Sequence, residues 1–367
     1  MAFEKSTANG YLDLLERLRK HLTNTSDGVW TASTAYNLGD IIEPTTANGY
    51  RYECVTAGTS GTTEPTWTTN IGDQIVDGGV TWQCISSKLP SAQVYIEKLK
   101  TYDDVNNVDG DLVLEGKGLD GTKSFHIAFR TFNDSVNNIW NWKLYMFKTY
   151  DSNVDITGQI GVNYSAPVFS LYDQQIPYWI FSSGERVVLI ANVSTYYMSM
   201  YIGRFYPYLP NYDECYLIGG SYYQDIAYSD TNNAGFFTFM RNSNLSNTYC
   251  KLPNGSWAYG YVDTNYSWLL GSAYNKEIAF YPYMDTTYNL TFNNNQFLHP
   301  LIIIAKTYNG NINPNHRAQL IGELIDCFYI TNRNVTSEDI IVIGTDNYHV
   351  FQDADYSGKY IAVKEVL

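Results

Sequence analysis

Lysine and arginine are scarce in this 367-residue chain: 23 of them face 37 aspartates and glutamates, giving a formal net charge of −14. Binding to a nucleic-acid backbone draws on clustered cations that displace counterions, so nucleic acid is a poor partner for such a chain. Long apolar runs are missing too. Nothing approaches the roughly 18 consecutive apolar residues of a spanning helix, and the longest runs, Leu301 to Ala305 among them, are far shorter. No membrane span is expected. The opening Met-Ala-Phe-Glu-Lys leads into a charged amphipathic segment and not into the apolar stretch of a secretory signal, which points to synthesis in a cytoplasm.

Metal and nucleophile signatures are also lacking. The five cysteines, Cys54, Cys84, Cys215, Cys250 and Cys327, leave one over in any pairing, and none forms a CxxC. With the five histidines they show no zinc-ligand spacing, so no metal site and no cofactor are expected, and the thiols are read as buried and reduced. There is no Gly-x-Ser-x-Gly elbow. Gly219-Gly220-Ser221 follows a strand with no helix behind it, and its glycines are read as permitting a tight bend. The GxGxxG spacing at Gly116 to Gly121 precedes a strand and not a helix. Asn106 to Asp111 departs from a calcium loop in spacing and in its closing residue. The carboxylate pairs Asp103–Asp104, Asp109–Asp111 and Glu338–Asp339 lie on strands or loops, where neighbours diverge or are solvated. No catalytic residue is expected, and the chain is read as a non-enzyme.

What the sequence does have is tyrosine: 34 of them, with aromatics at 16% and charged residues at only 16%. That much apolar area offsets ordering entropy and suits strands and interfaces. Period-two runs predict strands at Val94–Leu99, Asp111–Glu115, Ser124–Phe132, Trp142–Phe147, Val187–Val193, Tyr197–Phe205 and Phe236–Arg241. Further strands are predicted at Trp257–Val262, Leu301–Lys306, Asp326–Thr331, Ile340–Ile343, Tyr348–Gln352 and Lys359–Val363. Turn residues separate them, so the fold class is mainly β, an antiparallel β-sandwich. Ahead of it, Asn9 is placed to cap a helix from Gly10 to about Thr23, with Tyr11, Leu15, Leu18 and Leu22 on one face and Glu16, Arg17, Arg19 and Lys20 on the other. The apolar stripe has no second helix to meet. It must pack either on a sheet of its own chain or on another subunit.

Between helix and sandwich lies a Gly- and Trp-rich stretch. Trp30-Thr-Ala-Ser-Thr-Ala-Tyr36-Asn-Leu-Gly-Asp40 precedes Tyr50 to Trp67, and Asp77-Gly-Gly-Val-Thr-Trp82-Gln-Cys84 closes it. Tyr50, Tyr52 and Cys54, then Val80, Trp82 and Cys84, alternate as half-buried strands do, and the glycines between supply turns. This pattern resembles the small β-module, similar to carbohydrate-binding modules, that recurs as an insert in tailed-bacteriophage virion proteins. The chain therefore divides into an N-terminal helix (1–27), a small β-module (28–86) and a large Tyr-rich β-domain (87–367), with Ser86 to Ser91 as linker.

The large domain resembles a family of tailed-phage virion structural proteins. The likeness rests on Leu114 to Thr122 with Ile127 to Thr131, Ile176-Pro-Tyr-Trp179, and Tyr201 to Tyr208 with Leu217 to Ser221. It continues through Leu252 to Trp257, where Asn254 replaces an expected Asp, Ile321 to Ile330, and Tyr348 to Val363. The resemblance implies a structural subunit of the tail or baseplate, located in the virion, docking on other virion proteins as a homo-oligomer in a symmetric assembly. The alternative it leaves is a receptor-binding or glycan-degrading tail component. Sugar rings stack on exposed aromatics and pair their hydroxyls with carboxylates, so Trp67, Glu64 and Tyr36 are the glycan-site candidates. Trp30 and Trp82 are read as module core. Tyr197, Tyr201, Tyr206 and Tyr208, with Tyr11 and Leu15 of the helix, are the interface candidates.

Overall fold

The computed structural model describes residues 1–222, 224–229, 247–259, 278–281, 298–306, 318–330, 334–352 and 360–365. It is mainly β, with three large sheets stacked in layers, a two-stranded ribbon of Ala35–Tyr36 with Gly58–Thr59, and a single long helix among the described residues. The central sheet runs in the order Gly28–Val29, Ile41–Glu43, Tyr50–Thr56, Val80–Ser87, Ala2–Asn9, Gln175–Ser182, Arg186–Val193, Tyr196–Arg204, Tyr216–Gly219, Thr248–Lys251 and Trp257–Tyr259. All of its pairings are antiparallel except Gly28–Val29 with Ile41–Glu43. A five-stranded sheet, Val168–Leu171, Ile139–Phe147, Phe125–Asp134, Asp111–Gly116 and Ile96–Lys100, covers one face. An outer sheet, Ile278–Tyr281, Leu298–Lys306, Ala318–Ile330, Tyr360–Glu365, Asp346–Gln352 and Ile340–Ile343, covers the other, with Tyr206–Pro207 paired to Ala318–Ile330.

Sandwiching the central sheet explains its sequence. Side chains alternate across a strand, so Tyr178, Ile180, Leu189, Met198 and Met200 enter the core shared with the five-stranded sheet. Trp179, Phe181, Val188, Ile190 and Tyr201 enter the core shared with the outer sheet. Both faces are apolar, and the strands read as continuous hydrophobic runs. The five-stranded sheet has one deep face, with Leu112, Leu114, Ile127, Phe129, Trp142 and Leu144. Its outward face holds a smaller cluster of Val113, Ala128, Tyr145, Phe147 and Ile156. All five cysteines are free and buried, as their sequence setting implied.

The N-terminus departs from expectation. Ala2–Asn9 is a strand, fully paired with Gln175–Ser182 from Ala2↔Ser182 to Asn9↔Gln175. Its polar letters conceal it, and Pro177 conceals its partner. Proline is tolerated there because pairing to the next strand begins only at Tyr178. The helix spans Tyr11–Thr23 with Gly10 as N-cap, at φ 97, and no side-chain cap. Asn9 serves differently: its backbone N–H donates to Asp13 Oδ2 at 2.6 Å. The stripe Tyr11, Leu15, Leu18 and Leu22 packs into the chain's own core. Glu16 and Arg17, placed on the solvent face by periodicity, are buried as well.

Gly220 also has a different role from the bend assigned to it. A Cβ there would lie 2.4 Å from the Val168 carbonyl oxygen, so glycine permits the close approach of two sheets at the Val168↔Tyr222 bridge. The segment expected as linker begins inside a strand. Ser86 pairs with Glu4, Ser87 Oγ accepts from the Phe3 N–H at 3.0 Å, and Leu89 is buried. The module's strands therefore extend the central sheet through that one junction. The strand expected at Phe236–Arg241 lies outside the described residues, as do the C-terminal end of Trp257–Val262, Thr331 and Lys359.

Candidate functional site

The module folds around an aromatic row. Tyr36 meets Trp82 edge-on at 4.8 Å, Trp82 lies 6.1 Å from Trp67, and Trp67 tilts on Tyr52 at 4.4 Å. Trp82 and Tyr52 are fully buried, whereas Tyr36 and Trp67 are half-buried. Trp30 and Trp82 are core, and both indole N–H groups donate to Asp77 Oδ2, at 2.7 and 3.0 Å. Asp77 Oδ1 accepts from the Gly61 N–H at 2.8 Å, so one buried carboxylate gathers three donors.

Of the three glycan candidates, Trp67 and Tyr36 come together on either side of Trp82. Glu64 has another task. It accepts from Trp67 Nε1 at 2.9 Å, from the Thr45 N–H at 2.8 Å, and from the Thr45 hydroxyl. Burial acts to raise its pKa, but the Thr45 and Trp67 hydrogen bonds outweigh it and hold the carboxyl below its ordinary range. Glu64 thus fixes the indole's orientation and ties the loop at Thr45 to it. Tyr36 likewise uses its hydroxyl internally, accepting from the Thr31 N–H at 2.8 Å. What these residues offer to a ligand is ring surface.

The interface candidates separate into two groups. Tyr11, Leu15 and Tyr201 are fully buried inside the chain, which corrects their assignment to a subunit contact. Tyr11 donates to Asp109 Oδ1 at 2.9 Å, and its carbonyl accepts from Trp142 Nε1 at 3.2 Å. Tyr201 donates to the Arg204 carbonyl at 2.6 Å, between the central and outer sheets. Tyr197 is half-buried, with its hydroxyl on Glu338 at 2.8 Å. Tyr206 and Tyr208 are exposed, at 60% and 41%.

The carboxylate pairs are occupied structurally. Asp111 takes Arg130 in a two-pronged contact at 2.8 Å for each prong, and Asp103 accepts from the backbone N–H groups of Val105 and Asn106. A polar cluster that the sequence did not disclose lies between helix, module and central sheet. His21 Nε2 is 2.8 Å from Ser182 Oγ, and His21 Nδ1 is 3.0 Å from Glu4 Oε2. Arg51 Nη2 reaches Glu4 at 2.6 Å, Ser86 at 2.8 Å and His21 Nδ1 at 3.0 Å, and Tyr178 donates to Glu4 Oε1 at 2.6 Å. The order serine–histidine–glutamate has the outline of a nucleophile triad. Yet Ser182 is 1% exposed and His21 and Glu4 are 0% exposed, so a substrate has no access to this hydroxyl. Beside it Arg17 pairs with Glu53 at 2.8 Å, and Glu53 takes the Ser6 hydroxyl. The cluster joins five chain segments. Its members are scattered from Glu4 to Ser182, so only the strand pairing could reveal it.

No known family model matches the chain, and no curated protein is similar to it.

Proposed function

We propose that the chain is a structural subunit of a tailed-bacteriophage virion, in the tail or baseplate, that docks on neighbouring virion subunits through its outer sheet. The observation that carries the docking is the strand Ile340–Ile343, at the edge of the outer sheet among the described residues, where Ile340, Val342 and Ile343 are 54%, 64% and 47% exposed. An edge strand offers unpaired backbone groups, and natural edges are usually blunted by charge. This one presents aliphatic side chains instead, as a surface does that is covered in an assembly. Tyr206 and Tyr208, their rings 6.5 Å apart, add aromatic area on the same sheet. The virion setting itself is supported by the resemblance of the segments from Leu114 to Val363 and by the low share of charged residues. The combined variant Tyr206→Ser, Tyr208→Ser and Val342→Lys alters exposed positions, so the subunit should still fold. Its incorporation into particles should fall about tenfold or more, the loss expected when anchor residues are truncated. Normal incorporation of the folded variant would discard this docking surface.

A second reading, a receptor-binding component, is favoured by Trp67, a half-exposed indole held in place by Glu64. Because part of the ring packs on Tyr52, Trp67→Ala should cost about 2 kcal/mol, less than the roughly 3–5 kcal/mol of a fully buried aromatic. The folded variant should then lose binding to host-envelope polysaccharide on a glycan array. Unchanged binding would leave the module as a spacer.

A further inference from the structure

On the outward face of the five-stranded sheet, Lys98, Glu115, Ser124, His126, Lys148 and Tyr150 border an open cavity of about 470 Å³, a size suited to a small ligand. Strand register builds it. Glu115 faces His126 across one pair, and His126 faces Phe147 across the next, just before Lys148 and Tyr150.

We propose that this cavity binds an anionic saccharide, a pyranose that carries a carboxylate. The charge comes first. Glu115 is enclosed by Lys98 at 2.7 Å, by Lys117, and by the Ser124 hydroxyl at 2.6 Å. Burial acts to raise its pKa, but these donors overcome it and hold the carboxyl at about 2. It is thus a spent acceptor, outnumbered by its lysines. Lys148 stands at the rim, 56% exposed along its side chain and bound to Glu214 Oε1 at 3.0 Å. Each ammonium carries three N–H groups, so Lys98 and Lys148 both keep donors for an anion. In a chain of net charge −14 this grouping of three lysines is a local exception.

The neutral groups then favour a polyhydroxylated ligand over a bare anion. His126 Nδ1 is 3.1 Å from the Lys148 carbonyl oxygen. A carbonyl only accepts, so Nδ1 holds the proton and Nε2 is left as an acceptor, with no partner among the described residues. Burial lowers the His126 pKa, so the ring is neutral at pH 7 and keeps that lone pair. Ser124 gives its proton to Glu115 and retains lone pairs for a hydroxyl donor. Tyr150 is half-buried, with its ring 6.1 Å from His126 and 6.3 Å from Phe147. It supplies an aromatic face for the C–H side of a pyranose. A carboxylate, hydroxyl donors and an apolar ring face are the three features of a uronate. This site lies on the large domain, away from the module's aromatic row, and does not depend on the docking reading.

Calorimetric titration of the full chain with di- and trigalacturonate, a neutral galactose disaccharide and sulfate tests the assignment. Galacturonate should bind, and Lys148→Ala and Tyr150→Ala should each weaken it about tenfold, the worth of one charge-assisted hydrogen bond or one ring contact. Both variants alter accessible side chains, and circular dichroism checks that the fold is kept. Failure of galacturonate to bind, equal binding of the neutral disaccharide, equal binding of sulfate, or indifference to both variants would each overturn the proposal.

Discussion

Arg51→Ala should destabilise the folded chain by about 3–5 kcal/mol, because it removes one partner from a buried charge pair and leaves the other uncompensated. Arg51 and Glu4 are both 0% exposed, and the guanidinium also reaches Ser86 and the Thr25 carbonyl. Replacing both partners, as Arg51→Met with Glu4→Gln, should recover much of the loss, since no uncompensated charge is then left buried. Urea denaturation of the two single variants and the double one measures this. Additive losses would show that the cluster is not a unit. The same cluster sets an acid dependence. Burial tends to raise the Glu4 pKa, but Arg51, His21 and Tyr178 overcome it and hold the group at about 2, against an ordinary 4.5. Its contribution is present above 4.5 and is lost as pH falls towards 2. Burial lowers the His21 pKa below 6.5, so the unfolded chain takes up a proton that the folded chain refuses. Stability should therefore begin to fall below pH 6.5 and drop further below 4.5. In Arg51→Ala the carboxylate step should move to higher pH. A flat profile from pH 7 to 4 would contradict the assignment.

The arrangement of this cluster shows why much of the molecule was legible in the sequence and this part was not. Strands whose two faces face different environments announce themselves by alternation: Tyr52 and Cys54 point into the module's aromatic core, so Arg51 and Glu53 must point the other way. The sequence offers no hint that this other face meets Arg17 and His21, one turn apart on the helix, and Glu4 and Ser6 on the first strand. That meeting depends on the single Glu4↔Ser86 junction between strands far apart in the chain. The same limit applies to the Tyr-rich run at Tyr196 to Tyr208. Composition marked it as aromatic surface, but its strand half is sandwiched, so Tyr201 is core, Tyr196 and Tyr197 are half-buried, and Tyr206 and Tyr208 are exposed. For the cavity at His126 the strands were legible, but the register that sets Glu115 beside His126 was not.

Asp77→Ala should unfold the module while leaving the three-sheet body standing. The substitution strands the indole N–H groups of Trp30 and Trp82 and the Gly61 N–H, all of which now end on one carboxylate. Each donor left without a partner costs about 1–3 kcal/mol, so the three together cost roughly 3–9 kcal/mol, more than a unit of this size can spare. The loops pack tightly around the carboxylate: a Cβ on Gly61 would lie 2.7 Å from Asp77 Oδ1, and one on Gly78 2.8 Å from the Gly61 nitrogen. Asp77→Asn should be intermediate, because an amide keeps one accepting oxygen and turns its NH₂ against the remaining donors. Limited proteolysis separates the effects by place: cleavage in Asp77→Ala should concentrate between residues 28 and 86, with the sandwich protected. Trp67→Ala should not open that region, because Asp77 would still hold Trp30 and Trp82. If Asp77→Ala resisted proteolysis as the parent does, the carboxylate would not be the module's keystone. If instead the whole chain were cleaved, the module and the body would be one cooperative unit joined through Arg51 and the Glu4↔Ser86 pairing.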